Sequence, residues 1–223
     1  MKDEQGRGVK MKKIQAFLPC FIGLGIVIVA FSIYFATAKE ISALLCIQIL
    51  ATPLILIIFP LLNLTKKVRI PIVFSYVLLI HLVFALVLGS GFGFYEKVAC
   101  WDMILHGYFG FVASLLIFIL LLNYNGDKLK AIFLFAIIFF VTMGLAGLWE
   151  IYEFTADRIL GADAQRVEES ILQGHTPVYD TMMDMIISIS GILGFYVCIG
   201  IDKLCGYRFT KYLYNDIKNI NKE

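Results

Sequence analysis

Residues Ala131 to Phe154 read AIFLFAIIFFVTMGLAGLWEIYEF, and this stretch decides what kind of molecule the chain is. It carries no charged residue before Glu150. A bilayer core takes about 20 apolar residues wound as a helix, and this run supplies that length. Helix is the required form, because lipid offers backbone N–H and C=O groups no partner, and the alternation of a membrane barrel is missing. The run then ends in Trp149-Glu150-Ile151-Tyr152-Glu153, so its last turn meets polar surroundings.

Five more runs of the same kind flank it. Upstream lie Gln15–Ala38, Ile41–Leu64, Ile70–Gly89 and Trp101–Leu122, and downstream Val178–Ile201. The expected architecture is therefore all-α: a polytopic transmembrane bundle of about six spans. A basic segment occupies residues 1–14, the six-helix domain residues 15–201, and a basic tail residues 202–223. Composition agrees. Apolar residues make up 60% of the chain and charged residues 16%, collected in the gaps and at the ends, and mean hydropathy is +0.85. A soluble domain has a much smaller apolar share. The net charge of +2 is too small for a nucleic-acid footprint, so the bilayer is the partner the composition implies.

Orientation follows from the basic residues. Under strict alternation, fifteen of the 19 Lys and Arg fall in the N-terminal segment, the gaps holding Lys66, Lys67, Arg69, Lys128 and Lys130, and the tail. Lys39, Lys97, Arg158 and Arg166 are the four on the other side. Positive charge stays on the cytoplasmic side, which places both termini in the cytoplasm of a cell, in its inner or cytoplasmic membrane. Tyr34, Tyr95, Trp101, Trp149, Tyr152 and Tyr179 then form an outer interfacial belt. Ala36-Thr37-Ala38 resembles a signal-peptidase site, although the run before it is longer than a usual signal core.

Cys20, Cys46, Cys100, Cys198 and Cys205 show no paired spacing and read as small buried hydrophobes, not as disulfides or thiolate ligands. Pro53, Pro60 and Pro71 should kink or end the second and third helices. His81, alone among aliphatic residues, reads as a neutral imidazole bonded to a neighbour.

The two halves differ. Acidic residues within the runs are confined to the fourth, fifth and sixth, which argues against the inverted repeats of many secondary transporters. They come in pairs: Asp102 with His106 (i, i+4), Glu150 with Glu153 (i, i+3), and Asp180 with Asp184 (i, i+4). Such spacings put both members on one helix face, and the topology puts all three pairs near the outer boundary. Small residues continue two of the faces inward, Gly110 and Ala113 on the fourth helix and Ser188 and Gly191 on the sixth. Gly147, Ala146 and Met143 do the same on the fifth. Small residues let membrane helices approach closely, so the three pairs are expected to converge.

Five carboxylates and one imidazole need a counter-charge, either retained protons or a bound cation. The oxygen-rich set Asp102, His106, Glu150, Glu153, Asp180 and Asp184 suits a divalent ion such as Mg, Mn, Fe or Zn. Without metal, His106, Glu150 and Asp184 are the candidates for catalytic acid–base work. Between the fifth and sixth runs, Arg166–Gln173 has the pattern of a short amphipathic helix. That loop could supply Arg166, Gln173 or His175 to a substrate at the mouth of the site, with Tyr179 beside it. An ordinary solvated connector is the competing reading.

The strings Asp102-x-x-x-His106, Trp149-Glu150-x-x-Glu153, Gln173-Gly174 and Tyr179-Asp180-Thr181-x-x-Asp184-Met185 resemble the YjdF-like family of small bacterial inner-membrane proteins. More distantly they are similar to VanZ-like membrane proteins, one of which is associated with glycopeptide resistance. In that pattern Glu153 stands where Gln is usual, Ser188 stands where Asn is usual, and either Arg158 or Arg166 answers to an Arg. The resemblance spans the C-terminal half and implies a site without naming a reaction. The reading is a cell-envelope hydrolase or transferase for a lipid-linked substrate. The alternatives are an ion- or proton-coupled transporter and a non-catalytic binding module.

The orientation is testable with reporter fusions. A phosphatase that works only outside the cytoplasm should be active when inserted between Asp157 and Pro177 and silent at the C-terminus, with a fluorescent reporter showing the reverse. The opposite pattern overturns the assignment.

Overall fold

The computed structural model describes residues 15–37, 43–161 and 163–218, and the described residues contain no β-strand. The basic segment 1–14, Lys39, the final Ala38 of the signal-peptidase-like motif, the start of the second run at Ile41 and the tail end at 219–223 lie outside them. Six described helices are long and apolar enough to cross a membrane. The chain divides into two compact units, Met1–Ala99 with Asn215–Glu223, and Cys100–Tyr214.

The first unit contains α1 (Leu18–Ala36), α2 (Ala43–Leu64) and α3 (Ile72–Leu82). Val27, Ala30 and Tyr34 of α1 pack with Ile49 and Val87, and Leu56, Leu79 and Leu82 form a second apolar cluster. Pro53 and Pro60 lie inside α2 without ending it, and Pro71 stands at the N-cap of α3. Asn63 bridges the connection between α2 and α3. Asn63 donates to the Ile70 carbonyl at 2.9 Å and accepts from the Ile70 N–H at 2.7 Å. The third run is not the uniform helix its composition suggests. From Val83 to Gly91 it winds more widely, as π-helix. The widening coincides with Gly89 and Gly91, where the Tyr95 ring lies against the Gly89 backbone and Ile49 lies against Gly91.

The second unit contains α4 (Trp101–Asn123), α5 (Ala131–Leu160), the short α6 (Val167–Leu172) and α7 (Tyr179–Leu204). A last helix, α8 (Arg208–Lys218), begins in this unit and runs past its boundary. α5 continues well beyond Phe154, because Thr155 to Leu160 keep good helix-forming character after the membrane run is complete, and Gly161 ends it with φ +64°. α8 starts where the Asp202 carboxylate accepts from the N–H groups of Phe209 (2.7 Å) and Thr210 (2.9 Å). That carboxylate satisfies donors the first turn leaves unpaired.

What organises this unit is the contact between α4 and α7. A Cβ on Gly110 would strike the backbone of Ser188, and one on Gly191 would strike the Gly107 carbonyl and the Phe111 N–H. The helices meet backbone to backbone, as small residues permit in a membrane. The fully buried Ser188 hydroxyl donates to the His106 carbonyl at 3.3 Å. α5 is tied in by hydroxyls: Ser114 and Thr142 are 3.3 Å apart, and Tyr196 Oη donates to the Phe135 carbonyl at 2.6 Å. One expectation fails. A Cβ added to Gly147 would meet nothing within 4 Å, so of Gly147 and Ala146 on α5 only Ala146, 3% exposed, is packed.

The cysteines also differ from expectation. All five are free thiols, but Cys100, Cys198 and Cys205 are exposed on the chain and Cys20 and Cys46 are half-buried. Lipid solvates a small apolar side chain as well as a protein interior does, so a membrane helix has little reason to bury one. Phe21, Ile28, Phe140 and Val197 are outward-facing for the same reason.

The α4–α7 contact predicts a contrast between glycines. Gly191→Ala should lower the melting temperature of detergent-solubilised protein by several degrees, an overpacking cost of about 1–3 kcal/mol, and Gly147→Ala should leave it unchanged. Equal effects at both positions would contradict the packing described.

Candidate functional site

The helix faces that carry the acidic pairs meet at one end of the second unit. Asp102 and His106 come from the first turns of α4, Asp180 and Asp184 from the first turns of α7, and Glu150 and Glu153 from the latter part of α5. The α4–α7 contact sets the closest pairing. Gly107 and Gly110 on α4 are pressed on the backbone at Ser188 and Gly191 of α7, which leaves His106 and Asp184 facing each other just above.

His106 is the hub. Its Nε2 lies 3.5 Å from Asp102 Oδ1 and 3.6 Å from Asp184 Oδ2, and its Nδ1 lies 4.0 Å from Glu150 Oε1. The side chains are deeply enclosed, with exposures of 9% for His106, 7% for Glu150 and 3% for Asp184. None of these separations is a good hydrogen bond, which brings N and O to about 2.7–3.2 Å. Glu150 Oε2 and Asp184 Oδ2 are buried oxygens without a hydrogen-bond partner, and so is Asp180 Oδ2. Buried polar atoms are normally satisfied, so each unsatisfied oxygen here needs an explanation.

Two groups of side chains are close enough to share an ion: Asp102, His106 and Asp184, and separately Glu150, Glu153 and Asp184. Within each group the ligand atoms lie within 4.8 Å of one another. Asp184 belongs to both. Asp180 stands outside both groups, where the field of Arg166 reaches it. Glu153 is oriented by Trp149, whose indole N–H donates to Glu153 Oε1 at 2.8 Å.

The loop after α5 folds back toward this cluster. The Asp157 carboxylate accepts from the backbone N–H groups of Ala164 (2.7 Å) and Gln165 (3.0 Å), and Gln165 donates to the Thr181 hydroxyl at 3.1 Å. Thus anchored, Arg166 adopts φ +48° and places its guanidinium 3.8 Å from Asp102 Oδ2. Its other contact is a short ion pair with Glu169. Burial opposes the charge, but the bond to Glu169 and the fields of Glu169, Asp102 and Asp180 hold the guanidinium pKa above its ordinary value.

Of the residues expected to touch substrate, Arg166 alone reaches the cluster. The Gln173 amide donates to Glu169 at 2.9 Å, on the outer side of α6. The Tyr179 ring is stacked on His175, with centroids 3.9 Å apart and planes 8° from parallel. Sequence reasoning overlooked the supporting residues. Glu169 and Trp149 were recoverable from their i, i+3 and i, i+4 spacings to Arg166 and Glu153. Asp157 had no comparable signal, because its partners are backbone groups across a turn.

Residues 20–201 match the family model described as predicted membrane protein (DUF2238). The chain belongs to that family. A relative from Thermotoga maritima, an uncharacterized protein, is 35% identical over 107 residues, covering 47% of this chain and 50% of its own length. The match thus spans about half of the curated relative. No solved structure matches the chain. This DUF2238 chain is therefore a multi-pass membrane protein, and its chemistry has to be argued from the site itself.

The anchoring of the loop predicts its mobility. Arg166→Ala should speed amide exchange across residues 163–173 roughly fivefold, the loss of about 1 kcal/mol expected for partly exposed ion pairs. Exchange in α4 and α7 should not change, and an unaltered loop would show that Arg166 does not hold it.

Proposed function

We propose that this chain is a membrane-embedded enzyme of the cell envelope, a hydrolase or transferase that uses a divalent cation held among Asp102, His106, Glu150, Glu153 and Asp184. The observation that carries the reading is the spacing around His106. Ligands about 2.1 Å from a tetrahedral ion stand about 3.4 Å apart. Separations of 3.5 and 3.6 Å from Nε2 to the two carboxylates suit such an edge and are too long for good hydrogen bonds. A cation would also satisfy the unpartnered oxygens of Glu150 and Asp184 and offset the clustered negative charge. The donor set, oxygen-rich with one imidazole and no thiolate, admits Mg, Mn, Fe or Zn, and among these a tetrahedral edge is the mark of Zn.

The bound ion would polarise a carbonyl or phosphoryl oxygen or activate water. Were Glu150 not to ligate the ion, its unpartnered oxygen would be the proton acceptor of the site. Arg166 lies over the cluster on the loop side and would attract an anionic headgroup. With the orientation read from the basic residues, the site opens toward the extracytoplasmic leaflet of the cytoplasmic membrane, where a lipid-linked substrate would reach it from the bilayer. The YjdF-like resemblance, carried by Asp180-Thr181-x-x-Asp184-Met185, belongs to this finer reading. The more distant VanZ-like resemblance, carried by Asp102, His106, Glu150, Asp184 and Gly191, finds no support in the family match and adds nothing to this reading.

Elemental analysis of detergent-purified protein tests the proposal. Wild type should hold a divalent metal near stoichiometrically, and the His106→Ala, Asp184→Asn double variant should lose at least tenfold of it. Cells carrying only the double variant should show an altered envelope lipid or glycan profile. A metal-free wild type with an unaltered profile in the variant would falsify the proposal.

A further inference from the structure

We infer that the site holds two divalent cations, one on each side of Asp184, with the Asp184 carboxylate bridging them. This rests on the metal-dependent reading above and extends it from one ion to a pair. The two groups of potential ligands have no member in common except Asp184. His106 and Asp102 serve one position, and Glu150 and Glu153 serve the other. No single ion is required to reach all five side chains, which come from three helices.

Each position has its own support. At the first, Asp102 divides its oxygens. Oδ1 faces His106 Nε2 at 3.5 Å, and Oδ2 faces Arg166 Nη1 at 3.8 Å. The guanidinium therefore neutralises the outer oxygen and leaves the inner one to an ion. At the second, Glu150 Oε2 is a buried oxygen without a hydrogen-bond partner on a residue only 6% exposed. Trp149 meanwhile holds Glu153 through Oε1 at 2.8 Å, which orients that carboxylate before any ion arrives. Asp184, 2% exposed and with Oδ2 likewise unpartnered, is held between the two by the α4–α7 contact. Asp184 alone belongs to both groups and has two carboxylate oxygens to offer, and paired catalytic ions stand about 3.5–4 Å apart.

A paired centre narrows the substrate class. Two ions at that spacing clamp the attacking and leaving oxygens of an in-line displacement at phosphorus, and Arg166 beside them suits a phosphate oxygen. The lipid-linked substrate would accordingly be a phosphate or diphosphate ester, its phosphoryl group meeting the ion pair and its lipid tail remaining in the bilayer.

Full-length protein in lipid nanodiscs, stripped with chelator and titrated with Mn2+, decides the question by elemental analysis and electron paramagnetic resonance. Wild type should bind two Mn2+ per chain and give the signal of a spin-coupled pair. Asp102→Asn and Glu153→Gln should each bind one and give an uncoupled signal, with melting temperatures near wild type. One Mn2+ per wild-type chain overturns the pair and leaves the proposed enzyme standing, whereas none overturns both. Two uncoupled ions overturn the bridge. The wild-type titration needs no variant to fold. The substrate class is read separately: phosphate release from a lipid diphosphate in the same nanodiscs should fall at least a hundredfold in Asp184→Asn, and no release from wild type overturns that assignment.

Discussion

The backbone contact between α4 and α7 is the constraint on which the rest of the second unit depends. It exists because Gly107, Gly110 and Gly191 lack side chains where the helices cross. In a bilayer, helices gain little by hiding apolar side chains from lipid, so close van der Waals approach and interhelical hydrogen bonds carry the association. That approach fixes the rotation of both helices. Once Ser188 lies on the backbone of α4 with its hydroxyl on the His106 carbonyl, Asp184 one turn away must face His106, and Asp102 must share that face. A close backbone contact thus becomes a means of holding ionisable groups in a set geometry.

That geometry is costly while every carboxylate is ionised. Carboxylates near a helix end escape part of the membrane penalty by reaching interfacial water, but Glu150 and Asp184 are enclosed by protein. Arg166 is the cation that the loop brings, and it engages Asp102 from outside while spending its other contact on Glu169. One guanidinium shared in this way offsets little of the charge on the inner carboxylates. The loop therefore forms an electrostatic rim, and the inner carboxylates are left to be neutralised by retained protons or by a bound cation.

Much of this was legible in the residues. The apolar runs announced the six helices, because length and the absence of charge are nearly sufficient in lipid. The i, i+3 and i, i+4 pairs gave the site faces, and the small residues below Asp102 and Asp184 marked the faces that pack. The same reasoning misjudged Gly147, since a small residue is equally at ease beside a partner helix and beside lipid, and α5 turns that position outward. It counted Asp180 and Asp184 together as possible ligands and put Asp184 alone in the catalytic set. Both lie on one face, and only the depth of α7 against α4 decides that Asp184 enters the cluster while Asp180 stays near Arg166. Gln173 and Tyr179 have partners in the loop itself, Glu169 and His175. The π-helical turns at Val83–Gly91 had no signal in hydropathy, which is blind to how tightly a helix winds.

The interior of the second unit also bears on which class of function fits. A transporter needs polar groups that continue from a site toward the opposite end of the helices. Below Ser188 the buried face of α7 continues with Ile192 and Phe195, and Phe195 is met edge-on by Phe111 and Phe118 of α4 at 5.9 and 5.7 Å. Ile119 and Leu122 close the same level. The hydroxyls of Ser114 and Thr142 are bonded to each other, and Ser114 also donates to the Gly110 carbonyl, so they stabilise helix contacts and offer no relay. Within this unit the acidic cluster rests on an aromatic and aliphatic floor. Such a floor excludes water from one side of the cluster. It would give the proposed enzyme a dry base beneath its acidic side chains.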